Sequence, residues 1–492
     1  MIMDVEKRQH RAILRDIARR VMLEKGLFPD FSTDVLAELA SLNVHAVIKS
    51  KTVRDLRDPL WASIDNDDTR DLDQLTVAEQ LPDGTVKILV AVADVDALVK
   101  MGSAIDEHAR TNTTSVYTPA EIFPMLPDKL STNLTSLNFN EDRLSIVIDM
   151  TIGEDGTLQD VDIFRARVRN HAKLAYNQVA AWLEGNEQAP VEIATVDGLA
   201  ENLRLQDDVA GRMRAHRHVH GALNLETIEP RPVFAGEEIQ YLEGVKKNRA
   251  TELIEDFMIA ANVAVATYLE RKGYPNILRV VQTPKRWDRI VEIARDLGSV
   301  LPETPDSKVL DEFLVNQKVA DPLRFPDLCL AVIKLLGPGE YITVLPGEQA
   351  HGHFVLAVSQ YSHATGPNRR FTDMITQRLL KAAVDGTSSP YNNEDLEALA
   401  NRCTDIEHLA KKIERQVVKS AAALLLENRI GEEFNAIVTG AAPKGTWVRL
   451  LDMPIEGKLV EGFEGVDVGQ RICVQLESVD AWQGFIDFRN VV

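Results

Sequence analysis

The sequence contains few of the features that mark membrane-spanning, secreted or zinc-binding proteins. Its 492 residues include no apolar run close to the roughly 20 residues that a membrane-spanning helix needs. Its three cysteines, Cys329, Cys403 and Cys473, lie far apart without CxxC spacing, so we expect free thiols in a reducing cytoplasm rather than a zinc site. The first residues are charged and contain no apolar core, which argues against a signal peptide.

Positive charge is also scarce. The chain has 55 Lys and Arg against 75 Asp and Glu, which gives a formal net charge of −20. Simple nucleic-acid binders are usually basic, because neutralised phosphates supply much of their affinity. An enzyme can instead confine its positive charge to a channel while its outer surface stays acidic. The charge therefore excludes a histone-like coat but permits a nuclease with an internal groove.

The length of the chain and its 45% hydrophobic content predict roughly two to four globular domains. Apolar residues at helical spacing predict two short helices near the start, at 11–23 and 33–42, as a small appendage or part of a helix-turn-helix. The tail from residue 432 has the short strands of a small OB-type barrel. Between them, strands are predicted at 86–93 and 144–152, followed by long helices at 253–271, 374–384 and 396–428.

The sharpest local feature is a run of acidic residues beside a strand-like segment. Five aspartates fall within nine positions, Asp65, Asp67, Asp68, Asp71 and Asp73, and their repulsion is costly unless water or cations neutralise it. Asp71 and Asp73, two apart in an extended chain, would point to the same side and could share a Mg²⁺ ion. A solvated acidic loop and a Ca²⁺ loop resembling an EF-hand remain alternatives.

The second feature is a basic segment at 360–373, just before a predicted helix. Gly366 and Pro367 break the chain, and Arg369 and Arg370 follow in the first helical turn. Two guanidinium groups and helix-terminal N–H groups at one spot suit a phosphate. The alternative is a pair of arginines that make ion pairs with Asp373 or with glutamates.

Two tyrosines stand in polar surroundings, Tyr117 and Tyr176. Ring stacking is a common way to hold single-stranded nucleic acid, so both are candidates for contacts to bases or sugars. The alternative is that both are ordinary half-buried tyrosines with a hydrogen-bonded hydroxyl.

Taken together, these stretches resemble the RNB domain of the RNase II, RNase R and eukaryotic exosome-nuclease family. The acidic stretch 58–73 and the basic stretch 367–370 match motifs of that family. Other matching motifs lie between them in the expected order, at 92–95, 102–103, 115–119, 124–127, 173–178, 221–223, 253–262 and 353–357. The resemblance implies an α+β fold, in which residues 58–430 form a mixed α/β RNB catalytic domain. A helical segment would precede it at 1–57, and an OB-fold RNA-binding module would follow at 431–492.

The resemblance also implies an activity, 3′-to-5′ hydrolysis of single-stranded RNA to nucleoside 5′-monophosphates by water attack. Asp65, Asp71 and Asp73 would hold one or two Mg²⁺ ions, for which Mn²⁺ can substitute, with the carbonyl of Gln74 as a further ligand. Arg369 would clamp the scissile phosphate and stabilise its developing charge. The expected partner is single-stranded RNA, with no membrane and no obligatory protein partner.

Five further residues are implied as RNA contacts by the same resemblance. Tyr117 would stack on terminal bases, and Tyr176 and Asp256 would read the ribose 2′-hydroxyl that distinguishes RNA from DNA. Arg370 would join Arg369 at the phosphate. Glu414 matches a channel glutamate with a modest role in product release.

The chain departs from the family pattern at several positions. Gln74 replaces a fourth carboxylate, so a second ion should bind more weakly. Leu225 replaces a stacking phenylalanine, Gly366 and Phe371 replace the usual Ser and Tyr, and Asp256 stands where the bacterial enzyme has Glu. The 57 leading residues are too few for two cold-shock domains. We therefore expect RNA capture to rest on the last module and the helical start, with weaker or more salt-sensitive binding.

Two other functions compete with an active ribonuclease. Gln74 is also compatible with an RNA-binding protein on a degenerate nuclease scaffold. A metalloenzyme that acts on small nucleotides or on DNA is the third possibility, which the ribose assignments of Tyr176 and Asp256 oppose.

Overall fold

The computed structural model describes residues 9–42, 53–350, 352–442 and 445–491. These ranges form a mixed α/β body followed by a small closed β-barrel, as the residue pattern predicts. None of the helices within them is long and apolar enough to cross a membrane.

The helices in the described ranges follow the apolar periodicity of the sequence. α7 illustrates this, because its buried residues include Leu253, Phe257 and Ala261, and the Asn248 side chain caps its first turn. The helices are α1 (His10–Glu24), α2 (Thr33–Ser41), α3 (Ala104–Asn112), α4 (Tyr176–Leu183), α5 (Val191–Ala194), α6 (Leu199–Val219), α7 (Arg249–Arg271), α8 (Trp287–Asp296), α9 (Ser307–Ala320), α10 (Phe325–Leu336), α11 (Phe371–Asp385) and α12 (Asn393–Leu426).

The strands of the body belong mainly to one mixed sheet, with β4 near its centre. The sheet has the order β1-β8-β7-β4-β3-β2-β9, built from β1 (Arg54–Leu56), β2 (Ala62–Asp65), β3 (Gln74–Gln80), β4 (Val86–Ala93), β7 (Asp142–Ile152), β8 (Leu158–Arg169) and β9 (Ala172–Ala175). β4 is almost entirely buried, because helices including α6 and α7 cover the sheet. Three two-stranded sheets complete the body, β5 (Val116–Tyr117) with β6 (Ile122–Phe123), β10 (Glu229–Ala235) with β11 (Glu238–Val245), and β12 (Asn276–Val280) with β13 (Glu340–Val344).

The C-terminal barrel has its own apolar core, which includes Phe434, Val448, Leu476 and Phe488. Its five strands close in the order β14-β15-β16-β18-β17, from β14 (Glu433–Ala442), β15 (Gly445–Leu450), β16 (Glu456–Glu461), β17 (Arg471–Asp480) and β18 (Phe485–Val491). The long helix α12 leads directly into the barrel and packs against β17 and β18. This five-stranded closed barrel is the OB-like module that the sequence predicts.

The first helices and the start of the sheet correct one expected boundary. β1 pairs in parallel with β8, with Arg54 opposite Ala166, so residues before 58 already belong to the main sheet. α1 packs on α12 and β11, whereas α2 packs on α3. The two helices therefore lie against different parts of the body, which favours an appendage over a helix-turn-helix.

Candidate active site

Two neighbouring strands of the main sheet carry the acidic residues. β2 ends at Asp65, and β3 begins one residue after Asp73. The strands run antiparallel with Ala62 opposite Thr76, and continuing this register sets Asp65 opposite Asp73. Both aspartates therefore lie at the same end of this strand pair, and Asp65 Oδ1 accepts the N–H of Asn66 at 2.8 Å and the Thr69 hydroxyl at 2.9 Å within the turn.

The turn between β2 and β3 divides the acidic run into two halves. Asp67 and Asp68 are exposed, and Asp68 forms an ion pair of 3.7 Å with Arg231. Asp71 is half-buried, and Asp73 is only 2% exposed. The solvated-loop alternative therefore describes Asp67 and Asp68, whereas the inward carboxylates remain candidates for a metal.

The loop before α11 meets this acidic turn. Arg369 Nε donates to Asp73 Oδ2 at 3.2 Å, and the residues are 296 positions apart in the chain. The backbone N–H of Asn368 donates to Asp73 Oδ1 at 3.0 Å. A Cβ atom at Gly366 would lie 3.0 Å from Arg369 Nε, so the absence of a side chain leaves room for the guanidinium group. The structure thus places the arginine beside the acidic residues.

A second segment holds the same loop from its other side and leads to Tyr117. The N–H of Ser115 donates to the Arg369 carbonyl at 2.9 Å, and the N–H of Phe371 donates to the Thr113 carbonyl at 2.8 Å. Two residues later, the N–H of Tyr117 donates to a carboxylate oxygen of Glu414 on α12 at 2.8 Å. Tyr117 and Glu414 are therefore direct neighbours, connected through the backbone to the Arg369 loop.

The electrostatics of the site leave negative charge only partly compensated. Burial raises the pKa of Asp71, and the charges of Asp65 and Asp128 add to the rise while Arg369 opposes it. Burial likewise raises the pKa of Asp73 to about 7, again against the effect of Arg369. Burial thus disfavours the ionised forms of both carboxylates, and the charge of Arg369 does not offset this effect. A bound cation would supply further positive charge.

The donor set fits a hard divalent cation such as Mg²⁺. It consists only of oxygens, from the carboxylates of Asp65, Asp71 and Asp73 and from the amide of the half-buried Gln74. In the part of the chain that the structure describes, no three His, Cys, Asp or Glu side chains stand close enough to hold an ion without moving. The carboxylates would have to move toward each other to bind an ion, and an ion at Asp73 Oδ2 would replace its contact with Arg369.

Tyr176 directly follows β9, which pairs with β2 so that Ala175 lies opposite Asp65. It begins α4, whose start is joined to the start of α7 by a side-chain hydrogen bond of 3.0 Å. Burial raises the pKa of the Tyr176 hydroxyl, and the charges of Asp65 and Glu255 raise it further while Arg369 lowers it. The hydroxyl therefore lies within electrostatic reach of the acidic turn, and Glu255 of α7 lies within reach of that hydroxyl.

Asp256, by contrast, lies in a buried ion-pair cluster. Its side chain is 3% exposed, Arg214 Nε donates to Oδ2 at 2.9 Å, and Arg217 donates to Oδ1. Both arginines belong to α6, so both carboxylate oxygens are occupied within the protein core. This placement counts against the expected ribose contact of Asp256. The adjacent Glu255 is 42% exposed, and among the described residues its one ion pair is an exposed pair with Lys247.

Arg370 also differs from expectation. Its guanidinium group donates two hydrogen bonds of 2.8 and 2.7 Å to Asp373, whose side chain is fully buried. Asp373 additionally accepts the N–H of Gly366 at 2.7 Å. The ion-pair alternative therefore describes Arg370, which stabilises the loop that presents Arg369. This counts against Arg370 as a direct RNA contact.

Sequence reasoning missed three residues near the acidic turn, Glu255, Asn368 and the fully buried Ser136. Glu255 is adjacent to the predicted Asp256 and Asn368 is adjacent to the predicted Arg369, so their position beside a predicted residue was the only signal in the sequence. Nothing in the sequence pointed to Ser136, because its contacts are formed entirely by the tertiary structure.

Comparisons with known proteins give two family matches. The model described as "RNB domain" matches residues 53–386, and the model described as "RNase II-type exonuclease C-terminal S1 domain" matches residues 432–491. Ribonuclease R of Vibrio parahaemolyticus is 31% identical over 423 residues, which cover 82% of this chain and 49% of the relative. Ribonuclease R of Aquifex aeolicus is 31% identical over 419 residues, 83% of this chain and 57% of the relative. The chain thus spans about half the length of these curated relatives.

Solved structures with the same fold include both a nuclease and a pseudonuclease. Mycoplasma genitalium RNase R in complex with ribose-methylated single-stranded RNA superposes with a TM-score of 0.86 at 22% identity, covering 97% of this chain and 78% of that one. Yeast Ssd1, a pseudonuclease, superposes with a TM-score of 0.68 at 17% identity, covering 85% of this chain and 51% of that one. At these identities the likeness establishes the fold, and catalysis has to be argued from the site.

Proposed function

The chain belongs to the RNB-domain family, and from that membership and the geometry of the site we propose that it is a 3′-to-5′ exoribonuclease. Its substrate would be single-stranded RNA, and its products nucleoside 5′-monophosphates. The observation that carries the proposal is the contact between Arg369 and Asp73, which joins the basic loop to the acidic turn. Metal-assisted hydrolysis of a phosphodiester requires a positive charge at the phosphate and metal-binding carboxylates beside it. The contact supports the presence of both groups at the same place.

The proposed metal ligands are the side-chain oxygens of Asp65, Asp71, Asp73 and Gln74, with Mg²⁺ as the ion and Mn²⁺ as a substitute. A bound divalent ion would lower the pKa of a coordinated water and neutralise charge on the phosphodiester. Because Gln74 has no charge, a second ion would be held less tightly than in relatives with a carboxylate at that position.

The chain's own residues would orient the RNA for this reaction. Arg369, 39% exposed, would exchange its bond with Asp73 for the scissile phosphate. Tyr117 would stack on a base near the 3′ end, while Glu414 holds its backbone in place. The Tyr176 hydroxyl and Glu255 would contact the ribose 2′-hydroxyl, so that Glu255 takes the role expected of Asp256.

A direct assay separates this proposal from its alternatives. Labelled single-stranded RNA incubated with the protein and Mg²⁺ should release mononucleotides, and chelation by EDTA should stop the release. Asp73→Asn should abolish cleavage while RNA binding persists, because the substitution removes charge without changing side-chain size. Asp67→Asn is the matched control on the exposed half of the turn and should cleave normally. A stable RNA complex without cleavage in the unmodified protein would instead support a non-catalytic RNA-binding protein.

A further inference from the structure

A short buried segment lies behind the acidic turn, and we call residues 135–137 the bridge segment. It follows a π-helical turn, Leu130–Leu134, and precedes β7. Thr135, Ser136 and Leu137 are at most 4% exposed. A π-helical turn is rare and is often associated with a functional site.

The bridge segment is bonded to the backbone on both sides of Asp71. The Ser136 hydroxyl accepts the N–H of Leu72 at 3.0 Å, and its single proton has two acceptors within reach, the Arg70 carbonyl at 2.9 Å and Asn138 Oδ1 at 2.8 Å. The N–H of Leu137 donates to the Leu72 carbonyl at 2.9 Å. Leu72 is therefore held by two hydrogen bonds from the bridge segment, and Arg70 is held by a third whenever the Ser136 proton points to it rather than to Asn138. Ser136 itself is bonded to no carboxylate among the described residues.

The same segment is connected to the loop that contacts Asp73. The Thr135 hydroxyl lies within hydrogen-bond distance of two acceptors, the side-chain oxygen of Asn368, which is only 1% exposed, and the Leu130 carbonyl at 2.9 Å. The backbone N–H of Asn368 in turn donates to Asp73 Oδ1 at 3.0 Å. The position of this Asp73 donor thus depends partly on Thr135.

A third connection leads to the strand that carries Asp65. The side-chain amide of Asn170 donates to the Leu137 carbonyl at 3.0 Å and to the Ser63 hydroxyl at 3.1 Å. Ser63 lies in β2, two residues before Asp65, and both Ser63 and Asn170 are almost fully buried. The bridge segment therefore contacts, directly or through one amide side chain, the backbone that presents each of the three carboxylates.

We infer that the bridge segment positions Asp65, Asp71 and Asp73 for a divalent cation, with Ser136 as its principal positioning residue. The physical reason is that three carboxylates repel one another, and an unrestrained turn would separate them before an ion arrives. Buried hydrogen bonds to the flanking backbone oppose that separation. Groups that hydrogen-bond to metal ligands typically contribute roughly 10- to 100-fold to metal affinity, and because Ser136 acts on the backbone beside the ligands we expect the lower end of that range. This inference rests on the proposed function.

The test is Ser136→Ala, compared with Ser420→Ala as a matched control. Ser420 is equally buried, and its hydroxyl has no partner among the described residues, so its removal should change neither metal binding nor rate. In Ser136→Ala we expect roughly 10-fold weaker Mn²⁺ binding, measured by calorimetry or electron paramagnetic resonance without RNA. At limiting Mg²⁺, kcat should fall by a similar factor with KM for RNA unchanged, and excess Mg²⁺ should restore it.

Several outcomes distinguish this inference from the function on which it rests. Unchanged Mn²⁺ affinity in a folded Ser136→Ala protein would overturn it, and so would a loss of rate that excess Mg²⁺ does not restore. If Ser136→Ala does not fold, Thr135→Val removes the hydroxyl that contacts both Asn368 and the Leu130 carbonyl, and it should weaken Mn²⁺ binding in the same direction. Equal binding by Thr135→Val and the unmodified protein would then overturn the inference. Failure of the unmodified protein to bind Mn²⁺ or cleave RNA would instead refute the proposed function.

Discussion

Substitution of two adjacent carboxylates on α7 should separate stability from substrate choice. Asp256 is 3% exposed and paired with two α6 arginines, whereas Glu255 is 42% exposed and lies within electrostatic reach of Tyr176. Asp256→Asn should therefore destabilise the fold and leave discrimination between RNA and DNA intact. Glu255→Gln should leave the stability of the fold almost unchanged and reduce the discrimination between RNA and DNA.

The expected magnitudes follow from burial. Removal of one partner from a buried ion pair costs about 3–5 kcal/mol, and partial exposure of Arg214 and Arg217 reduces this to about 2–3 kcal/mol for Asp256→Asn. Glu255 and Lys247 are 42% and 59% exposed, so the loss of their ion pair should cost less than about 1 kcal/mol. A charge-assisted hydrogen bond to the 2′-hydroxyl contributes about 2 kcal/mol, which corresponds to a roughly 30-fold loss of RNA preference in Glu255→Gln.

Two measurements on both variants test whether Asp256 contributes to stability and Glu255 to the preference for ribose. Urea denaturation reports the free energy of unfolding, and kcat/KM on matched RNA and DNA oligomers reports the preference for ribose. Asparagine and glutamine keep the side-chain size, so each variant is the control for the other. A collapse of the RNA-to-DNA ratio in Asp256→Asn, with stability unchanged, would refute the reasoning and return the ribose contact to Asp256.

Three further substitutions test other parts of the structure. Glu414→Gln should keep an acceptor for the N–H of Tyr117 but lose the charge, so kcat/KM for RNA should change less than about 10-fold, whereas Glu414→Ala should lose more. Gly366→Ala places a Cβ atom 3.0 Å from Arg369 Nε and should displace the guanidinium group, lowering kcat by roughly 10-fold with little change in thermal stability; an unchanged kcat would show that the arginine adapts. Burial lowers the pKa of His353 to about 4, so between pH 6.5 and pH 4 the unfolded chain binds a proton that the folded chain does not. The free energy of unfolding should therefore fall as the pH drops through this range, by up to about 1.4 kcal/mol per pH unit. His353→Asn should reduce this slope in urea denaturation at several pH values, and an identical slope would contradict the assignment.

The residue pattern determined the local elements well, because periodicity reports which face of an element is buried. The continuous apolar run at 86–93 became the central strand β4, and the helical stripes at 253–271, 374–384 and 396–428 became α7, α11 and α12. The short strands predicted for the tail became a closed barrel. The parallel pairing of β1 with β8 was not predictable in this way, because it joins segments more than 100 positions apart.

The helical periodicity of α7 does not distinguish Glu255 from Asp256. The predicted apolar stripe consists of Leu253, Ile254, Phe257, Met258 and Ala261. With about 100° between successive residues, Glu255 and Asp256 lie about 130° to either side of the centre of this stripe. Periodicity therefore treats the two carboxylates as equivalent. The structure decides between them, because α6 offers arginines to Asp256 while Glu255 lies on the side of Tyr176.

The acidic and basic motifs show the same division between local pattern and tertiary contact. The spacing of Asp71 and Asp73 and the pair Arg369–Arg370 were evident in the chain, and they identified which chemistry to expect. Only folding decided that Arg369 contacts Asp73 while Arg370 is bonded to Asp373, and that Ser136 supports the acidic turn. These contacts are hydrogen bonds, which form only at short range and in a suitable direction. Which distant residue becomes the partner of a side chain therefore depends on how helices, strands and loops pack, and not on the residues next to it in the sequence.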